Sequence, residues 1–231
     1  MKANFGVCAA AVAALAFASW AQAAGLADIS DKDAAAGLKQ ALIKGSQAAV
    51  AALGQQDGFL KNERVKIPLP ENLQRVAGLM RALGLARYSD ELVTSMNRAA
   101  ETAVIEAKPL LVNAVKNMSV RDAKAILTGG QDAATEYFRR TTSGALAQKF
   151  LPIVSKATQK AKLAEKDNEF AGKGAKLGLV AGEDADLNRY VTRKALDGLF
   201  LMIAEEERKI RQDPLGAAGG LVARVFGAIG K

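Results

Sequence analysis

The chain has 231 residues and a net charge of +8, and it contains no histidine, one cysteine and one tryptophan. This composition excludes catalysis that depends on histidine, and a single cysteine supports neither an internal disulfide nor a zinc site built on thiolates. The basic balance favours anionic partners, while an aromatic content of 5% gives few platforms for stacking bases, so we predict no nucleic-acid partner.

The N-terminal residues have the pattern of a secretory signal peptide. Lys2 gives a positive start, an alanine-rich apolar run covers residues 5–18, and Ala21-Gln22-Ala23 has the small-x-small pattern that a signal peptidase cleaves. The run is too short to cross a bilayer comfortably. We therefore expect residues 1–23 to be removed and residues 24–231 to form one periplasmic or secreted domain.

The first predicted helix begins at Ser30, whose spacing from Asp33 resembles a capping box, and it ends near Gly54. A non-helical segment is predicted over Gln55–Leu69. Asp57-Gly58 favours a turn there, and the residues that precede the two prolines of this region avoid the helical conformation.

Pro70 suits the first position of a second helix, which is predicted to end at Gly84. Ser89, followed by two acidic residues, is expected to begin the third helix. Pro109 should kink or restart that helix, because a proline in a helix interior removes a backbone hydrogen bond.

Ser119 and Asp122 have capping-box spacing and predict a short helix that stops at Gly129-Gly130. Another helix is predicted from Asp132, with a break near Ser143-Gly144. Beyond these, the pattern predicts three further elements.

Residues 164–184 are rich in glycine and lysine and are expected to form a flexible loop or a lid. A long helix begins near Asp186 and ends at Asp213-Pro214. Residues 215–231 form a C-terminal amphipathic helix, which either docks on its own domain or makes a peripheral membrane contact. The predicted fold is all-α: a single-domain, irregular bundle of about seven to nine helices.

Asn97, Arg98 and Glu101 form a first polar cluster within an alanine-rich stretch. Asn97 and Glu101 are four residues apart and share one helix face, with Arg98 beside them. The small neighbouring residues allow other helices to approach closely. The cluster is therefore either a structural hydrogen-bond hub or part of a ligand pocket, and we include all three residues in the candidate ligand-binding set.

A second polar group follows the glycine pair and contains Thr135, Tyr137, Arg139 and Arg140, of which the last three join the candidate ligand-binding set. The start of this helix exposes backbone N–H groups that can hold an anion, with Arg139 or Arg140 assisting. Asp132, at the expected cap, competes for the same N–H groups.

Glu205-Glu206-Glu207 resembles an acidic site, but Glu205 pairs with Lys209 and Glu207 with Arg211 at i,i+4 spacing. This pattern favours a solvated, salt-bridged helix face. We predict no metal site and no cofactor.

Several ordered motifs are similar to those of a bacterial exported family known as domain of unknown function 4197. The resemblance spans residues 26–226. It implies one helical domain in an envelope protein, often with a signal peptide, and it implies no activity. The motifs that carry it are Gly37-Leu38-Lys39-Gln40-Ala41-Leu42, Asp57-Gly58-Phe59-Leu60, Ile67-Pro68-Leu69-Pro70-Glu71, Met96-Asn97-Arg98-Ala99-Ala100-Glu101, Ala133-Ala134-Thr135-Glu136-Tyr137-Phe138 and Ala195-Leu196-Asp197-Gly198-Leu199-Phe200.

These observations favour a non-enzymatic exported protein that binds a small anionic or amphipathic ligand, or another envelope protein. Two alternatives stay open. One is a carboxylate-based hydrolase that acts on cell-envelope glycan, since that chemistry needs only two acidic side chains flanking a cleft. The other is a purely structural or interaction module. The sequence does not determine the oligomeric state.

Overall fold

The structure, a computed structural model, describes residues 30–160 and 187–213. Three predicted segments lie outside the described residues: the signal peptide over residues 1–23, the loop over residues 164–184 and the C-terminal helix over residues 215–231.

Helices account for nearly all regular structure in the two described ranges, which contain no strand, so the predicted all-α class is confirmed. None of these helices is both long enough and apolar enough to cross a bilayer. Residues 30–160 and 187–213 contain seven helices, which are α1 (Asp31–Gly54), α2 (Glu71–Ala82), α3 (Ala86–Val104), α4 (Ala107–Lys116), α5 (Val120–Leu127), α6 (Ala133–Lys160) and α7 (Leu187–Gln212).

Two predicted helix starts are confirmed by their caps. The Ser30 hydroxyl accepts the Asp33 N–H at 3.1 Å at the start of α1. At the start of α5, Ser119 accepts the Asp122 N–H at 3.0 Å, and the Asp122 carboxylate accepts the Ser119 N–H at 3.2 Å, which completes a capping box.

The end of α2 explains why the third helix starts earlier than predicted. Gly84 has a φ of 75°, and the N–H of Leu85 donates to the carbonyl of Met80 at 2.8 Å, as in a Schellman motif. This tight turn lets α3 resume at Ala86. The predicted start at Ser89 is therefore wrong: Ser89 is buried inside the helix and donates to the Ala86 carbonyl at 2.7 Å.

The predicted break at Ser143-Gly144 is also wrong, because α6 is continuous from Ala133 to Lys160. The Ser143 hydroxyl donates back to the carbonyl of Arg139 one turn earlier, so this polar side chain finds a partner inside a continuous helix. The break at Pro109 did occur. The proline lies in the first turn of α4, where its missing N–H costs little.

Helix α7 packs against α1, α3 and α6 and so closes the bundle. It runs antiparallel to α6, since Thr158 near the end of α6 bonds Asn188 near the start of α7 at 2.7 Å. The core between the helices includes four fully buried phenylalanines, Phe59, Phe138, Phe150 and Phe200.

Candidate functional site

The first predicted cluster holds the non-helical segment between α1 and α2 against α3. Asn97, which is fully buried, accepts the N–H of Ile67 at 2.8 Å and donates to the Ile67 carbonyl at 2.9 Å. Its amide also donates to the Val93 carbonyl at 2.8 Å. The Asn97 side chain thus makes the two backbone hydrogen bonds with Ile67 that a neighbouring strand would make in a sheet.

Glu101 fixes the turn at the beginning of the same segment. One carboxylate oxygen accepts the N–H groups of Phe59 and Leu60 at 3.1 and 3.2 Å, and the other accepts Arg98 at 2.7 Å. Glu101 is 5% exposed, so these bonds satisfy a carboxylate that is nearly buried.

Arg98 connects Glu101 to Asp57, whose carboxylate it contacts at 2.6 Å. Lys61 contacts the other oxygen of Asp57 at 2.8 Å. Hydrogen bonds from Lys61 and then Arg98 hold the pKa of Asp57 below its ordinary value, and Glu101 and Asp57 together raise the pKa of Arg98. The structure therefore brings Asn97, Arg98 and Glu101 together, and each of the three side chains bonds the segment 55–69.

The second predicted group does not form one cluster with the first. The Tyr137 hydroxyl donates to the Ala114 carbonyl of α4 at 3.0 Å, and burial raises the pKa of Tyr137. The Arg140 guanidinium lies 5.7 Å from the centre of the Tyr137 ring. Arg139 points instead toward α7, with its guanidinium 4.7 Å from the centre of the Phe200 ring.

The sequence predicted that the N–H groups at the start of α6 could hold an anion with Arg139 or Arg140 assisting, whereas in the structure these N–H groups bind a carboxylate of the same chain. The carboxylate of Glu207 on α7 accepts the N–H groups of Ala134 and Thr135 at 2.9 and 2.8 Å, and the Thr135 hydroxyl at 2.9 Å. Arg211 donates to the same carboxylate at 2.8 Å. Glu207 is 5% exposed, so no external anion reaches these N–H groups in this arrangement.

Asp132, the expected cap of α6, accepts a hydrogen bond from Arg208 of α7 at 2.7 Å. The first N–H groups of α6 therefore bind the Glu207 carboxylate rather than that of Asp132, because α7 packs against the start of α6. Because the capping residue Glu207 lies on a helix far along the chain, no sequence pattern near the start of α6 predicts this cap.

The prediction of a solvated acidic face on α7 is wrong for two of its three glutamates. Glu205 and Glu207 are buried, and Glu205 pairs with Arg64 of the non-helical segment instead of Lys209. The pair of Glu207 with Arg211 is present as predicted. No group of three or more potential metal-ligating residues occurs in the described part of the chain.

A groove of about 560 Å³ runs between α6 and α7 and is the best candidate for a ligand site. We call it the α6/α7 groove. Its residues come from the middle of α6, between positions 139 and 151, and from positions 189–200 of α7. They are Arg139, Ser143, Gly144, Ala147, Gln148, Leu151, Arg189, Thr192, Arg193, Leu196, Asp197 and Phe200.

The α6/α7 groove combines an apolar floor with a cationic rim. Leu151 and Leu196, which are half-buried, supply apolar surface, and the three arginines of the lining outnumber its single carboxylate, that of Asp197. Gly144 widens the groove, because a Cβ built at this position would meet no atom within 4 Å.

Thr192 is the one buried polar side chain of this lining that lacks a partner. It is 6% exposed, and its hydroxyl has no hydrogen-bond partner among the described residues. A buried hydroxyl without a partner carries a desolvation cost, which a ligand oxygen in the groove would relieve.

Of the six predicted site residues, Arg139 alone lines the α6/α7 groove, while Arg98 lines a separate groove of about 700 Å³ between α3 and α6. Sequence reasoning missed the contributions of Arg189, Thr192 and Phe200 on α7. Helical spacing places Arg189, Arg193 and Phe200 on one side of α7, but the sequence does not reveal that this side faces Arg139.

Comparison with known families gives one match. The family model described as "Protein of unknown function (DUF4197)" matches residues 28–227, which confirms the resemblance seen in the sequence motifs. The chain belongs to this family. No curated protein and no solved structure matches it.

Proposed function

We propose that this member of the DUF4197 family is an exported, non-enzymatic protein that binds a small amphipathic anion in the α6/α7 groove. The observation that carries the proposal is an apolar floor beneath three arginines, next to a buried hydroxyl without a partner. The anionic group of the ligand lies on the arginine rim, and its apolar chain lies on Leu151 and Leu196.

The size of the groove supports a ligand of this class. Pockets that bind small molecules typically enclose about 300–1,000 Å³ and combine apolar walls with a few polar groups that fix orientation. At about 560 Å³, the α6/α7 groove lies within this range. Arginine suits the rim, because its planar guanidinium pairs with carboxylates and phosphates through two parallel hydrogen bonds.

Export is the second part of the proposal, and the N-terminal pattern of the sequence supports it. The test is the intact mass of the protein recovered from the periplasm or medium of a bacterium that produces it. A mass that corresponds to a chain beginning near Ala24 supports export. An uncleaved chain that stays with the cytoplasmic fraction contradicts it.

Isothermal titration with decanoate, decyl phosphate and decanol tests the ligand class. We expect both anions to bind more tightly than the alcohol, because the alcohol lacks the charge that the arginines recognise. Equal binding of all three would show that the groove selects only apolar chains, and this result would overturn the proposal.

Gly144→Leu tests the location. The leucine fills open space in the groove and replaces a glycine within a helix, so the fold should persist while decanoate binding falls at least tenfold. Gly78→Leu is the matched control, because Gly78 also lies in a helix with no atom within 4 Å of a built Cβ, but on α2. Unchanged decanoate binding by Gly144→Leu would exclude the α6/α7 groove.

A further inference from the structure

The α6/α7 groove is lined by one carboxylate as well as by three arginines. The carboxylate belongs to Asp197, which is exposed on α7. Arg193 lies one helical turn before Asp197, at a spacing that allows an ion pair. No such pair forms, and the Asp197 side chain makes no hydrogen bond or ion pair with any described residue. An anion bound on the arginine rim therefore leaves this negative charge without a counterpart.

The ring of Phe200 places Arg139 beside this carboxylate. The Arg139 guanidinium lies 4.7 Å from the centre of the ring. Asp197 is three residues before Phe200, so the two side chains are neighbours on α7, with Cβ atoms about 5–6 Å apart. Arg139 and Asp197 nevertheless form no ion pair with each other, and Arg139 forms none with any described residue. The groove thus presents a positive and a negative group as neighbours, each without an ionic partner.

Charged side chains close by in sequence do not supply the missing partners. Glu136 precedes Arg139 by three residues on α6, but it does not line the groove and forms no ion pair with Arg139. Lys194 precedes Asp197 by three residues, and its ammonium group lies 5.9 Å from the centre of the Tyr190 ring instead of pairing with Asp197. Within the described ranges, the charges of Arg139 and Asp197 are therefore both available to a ligand.

We propose, on the basis of the proposed function, that the amphiphile bound in the α6/α7 groove carries an ammonium group beside its anionic group. The anionic group lies on the arginine rim with Arg139, and the ammonium group lies against the Asp197 carboxylate. Matching each charge of the groove with an opposite charge fixes the orientation of the headgroup. An amphiphile with an anionic group alone meets the repulsion of Asp197 instead. Phosphoethanolamine is a headgroup of the chemical class that this arrangement fits.

Isothermal titration with two esters of decyl phosphate, kept below the concentrations at which they form micelles, tests the proposal. The 2-aminoethyl ester carries an ammonium group, and the 2-hydroxyethyl ester carries a hydroxyl in its place, so the two differ by one positive charge at nearly equal size. We expect the aminoethyl ester to bind about fivefold more tightly, which is the upper range for an exposed ion pair. Asp197→Asn should weaken binding of the aminoethyl ester and bring the two affinities to within about twofold.

Glu136→Gln is the matched control, because it removes an exposed carboxylate that is close to Arg139 in sequence but does not line the groove. This variant should keep the preference for the aminoethyl ester. Arg139→Gln should weaken binding of both esters to a similar extent, since it removes a partner of the anionic group and leaves Asp197 in place. Thermal melts of the three variants check that these exposed substitutions preserve the fold.

Three outcomes would overturn the proposal. Equal binding of the two esters by the unmodified protein would show that the groove recognises only the anionic group, and the proposed function would stand without the ammonium group. A preference that persists in Asp197→Asn would show that another residue binds the amine. If neither ester binds and decyl phosphate does not bind either, the proposed function itself fails, and the zwitterionic ligand fails with it.

Discussion

Asn97 provides both backbone hydrogen bonds of Ile67, a residue 30 positions earlier in the chain. The extended segment around Ile67 has no neighbouring strand, so a side chain of α3 takes the place of one. The hydroxyl of Tyr190 on α7 adds a bond to the carbonyl of Pro68 at 3.0 Å. Two helices thus fix a segment that forms no regular structure of its own.

Asn97→Ala should destabilise the protein by about 2–4 kcal/mol, because it leaves the buried N–H and carbonyl of Ile67 without partners. Urea denaturation measures this change in the free energy of unfolding. Asn113→Ala, at an exposed position of α4, is the control and should change it by less than about 0.5 kcal/mol. Equal effects of the two substitutions would show that the bonds to Ile67 contribute nothing specific.

Glu207→Ala should cost about 3 kcal/mol, since it removes an anion bound by two N–H groups of α6 and leaves the Arg211 guanidinium without that partner. Among the described residues its neighbour Glu206 pairs with the exposed Lys209, so Glu206→Ala should cost less than about 1 kcal/mol. Thermal melts of the two variants at one pH make the comparison. A small effect of Glu207→Ala would mean that α6 does not depend on this cap.

The same substitution at two glycines should change stability in opposite directions. Gly144→Ala adds a methyl group into open space within a helix and should stabilise by about 0.5–1 kcal/mol. Gly198→Ala places its Cβ 2.8 Å from Phe59, which is fully buried, and should destabilise by about 1–3 kcal/mol. Chemical denaturation of both variants measures the two changes in the free energy of unfolding. Changes of the same sign would contradict the open space at Gly144 or the close contact at Gly198.

Asp57 should make stability depend on pH in the acid range. Its pKa in the folded protein lies below the ordinary value of 3.8, because Lys61 and Arg98 donate hydrogen bonds to it. The unfolded chain therefore takes up the proton more readily, so this contribution is complete above the ordinary pKa and is lost as pH falls through the lower, folded pKa.

Asp57→Asn isolates this dependence. Asparagine tolerates the φ of 69° found at this position, so the change removes the charge without adding backbone strain. The variant should be less stable than the unmodified protein above pH 4, and the difference should shrink as the pH is lowered. Free energies of unfolding across this range measure it; a constant difference would show that the carboxylate charge of Asp57 does not contribute.

Local chemistry made several helix ends predictable. Ser30 and Ser119 each cap a helix through a residue three positions ahead, and Gly84 ends α2 through its positive φ. These signals act within a few residues of the chain, so the sequence contains them in full. Ser89 misled the prediction because a serine suits a cap, but here its hydroxyl bonds within a helix that had already begun.

The candidate site was less predictable, because its parts lie on different helices. Arg139 was identified from its own neighbourhood, whereas the rim that it completes includes Arg189 and Arg193 of α7. Glu207 was expected to face solvent for the same reason. The sequence spacing identifies its i,i+4 partner Arg211, but it does not show that the N-terminus of α6 packs against Glu207. Such contacts follow from helix packing, which periodicity alone does not specify.

The position of α7 has a consequence for how the chain acquires its fold. This last described helix packs on α1, the first, and the bond between Tyr190 and Pro68 joins residues 122 positions apart. Contacts this distant in sequence slow folding and close late. During synthesis, α3, α4 and α5 can cover part of α1, but the part that contacts α7 stays exposed until α7 has emerged. Apolar surface exposed over such an interval favours aggregation of the nascent chain.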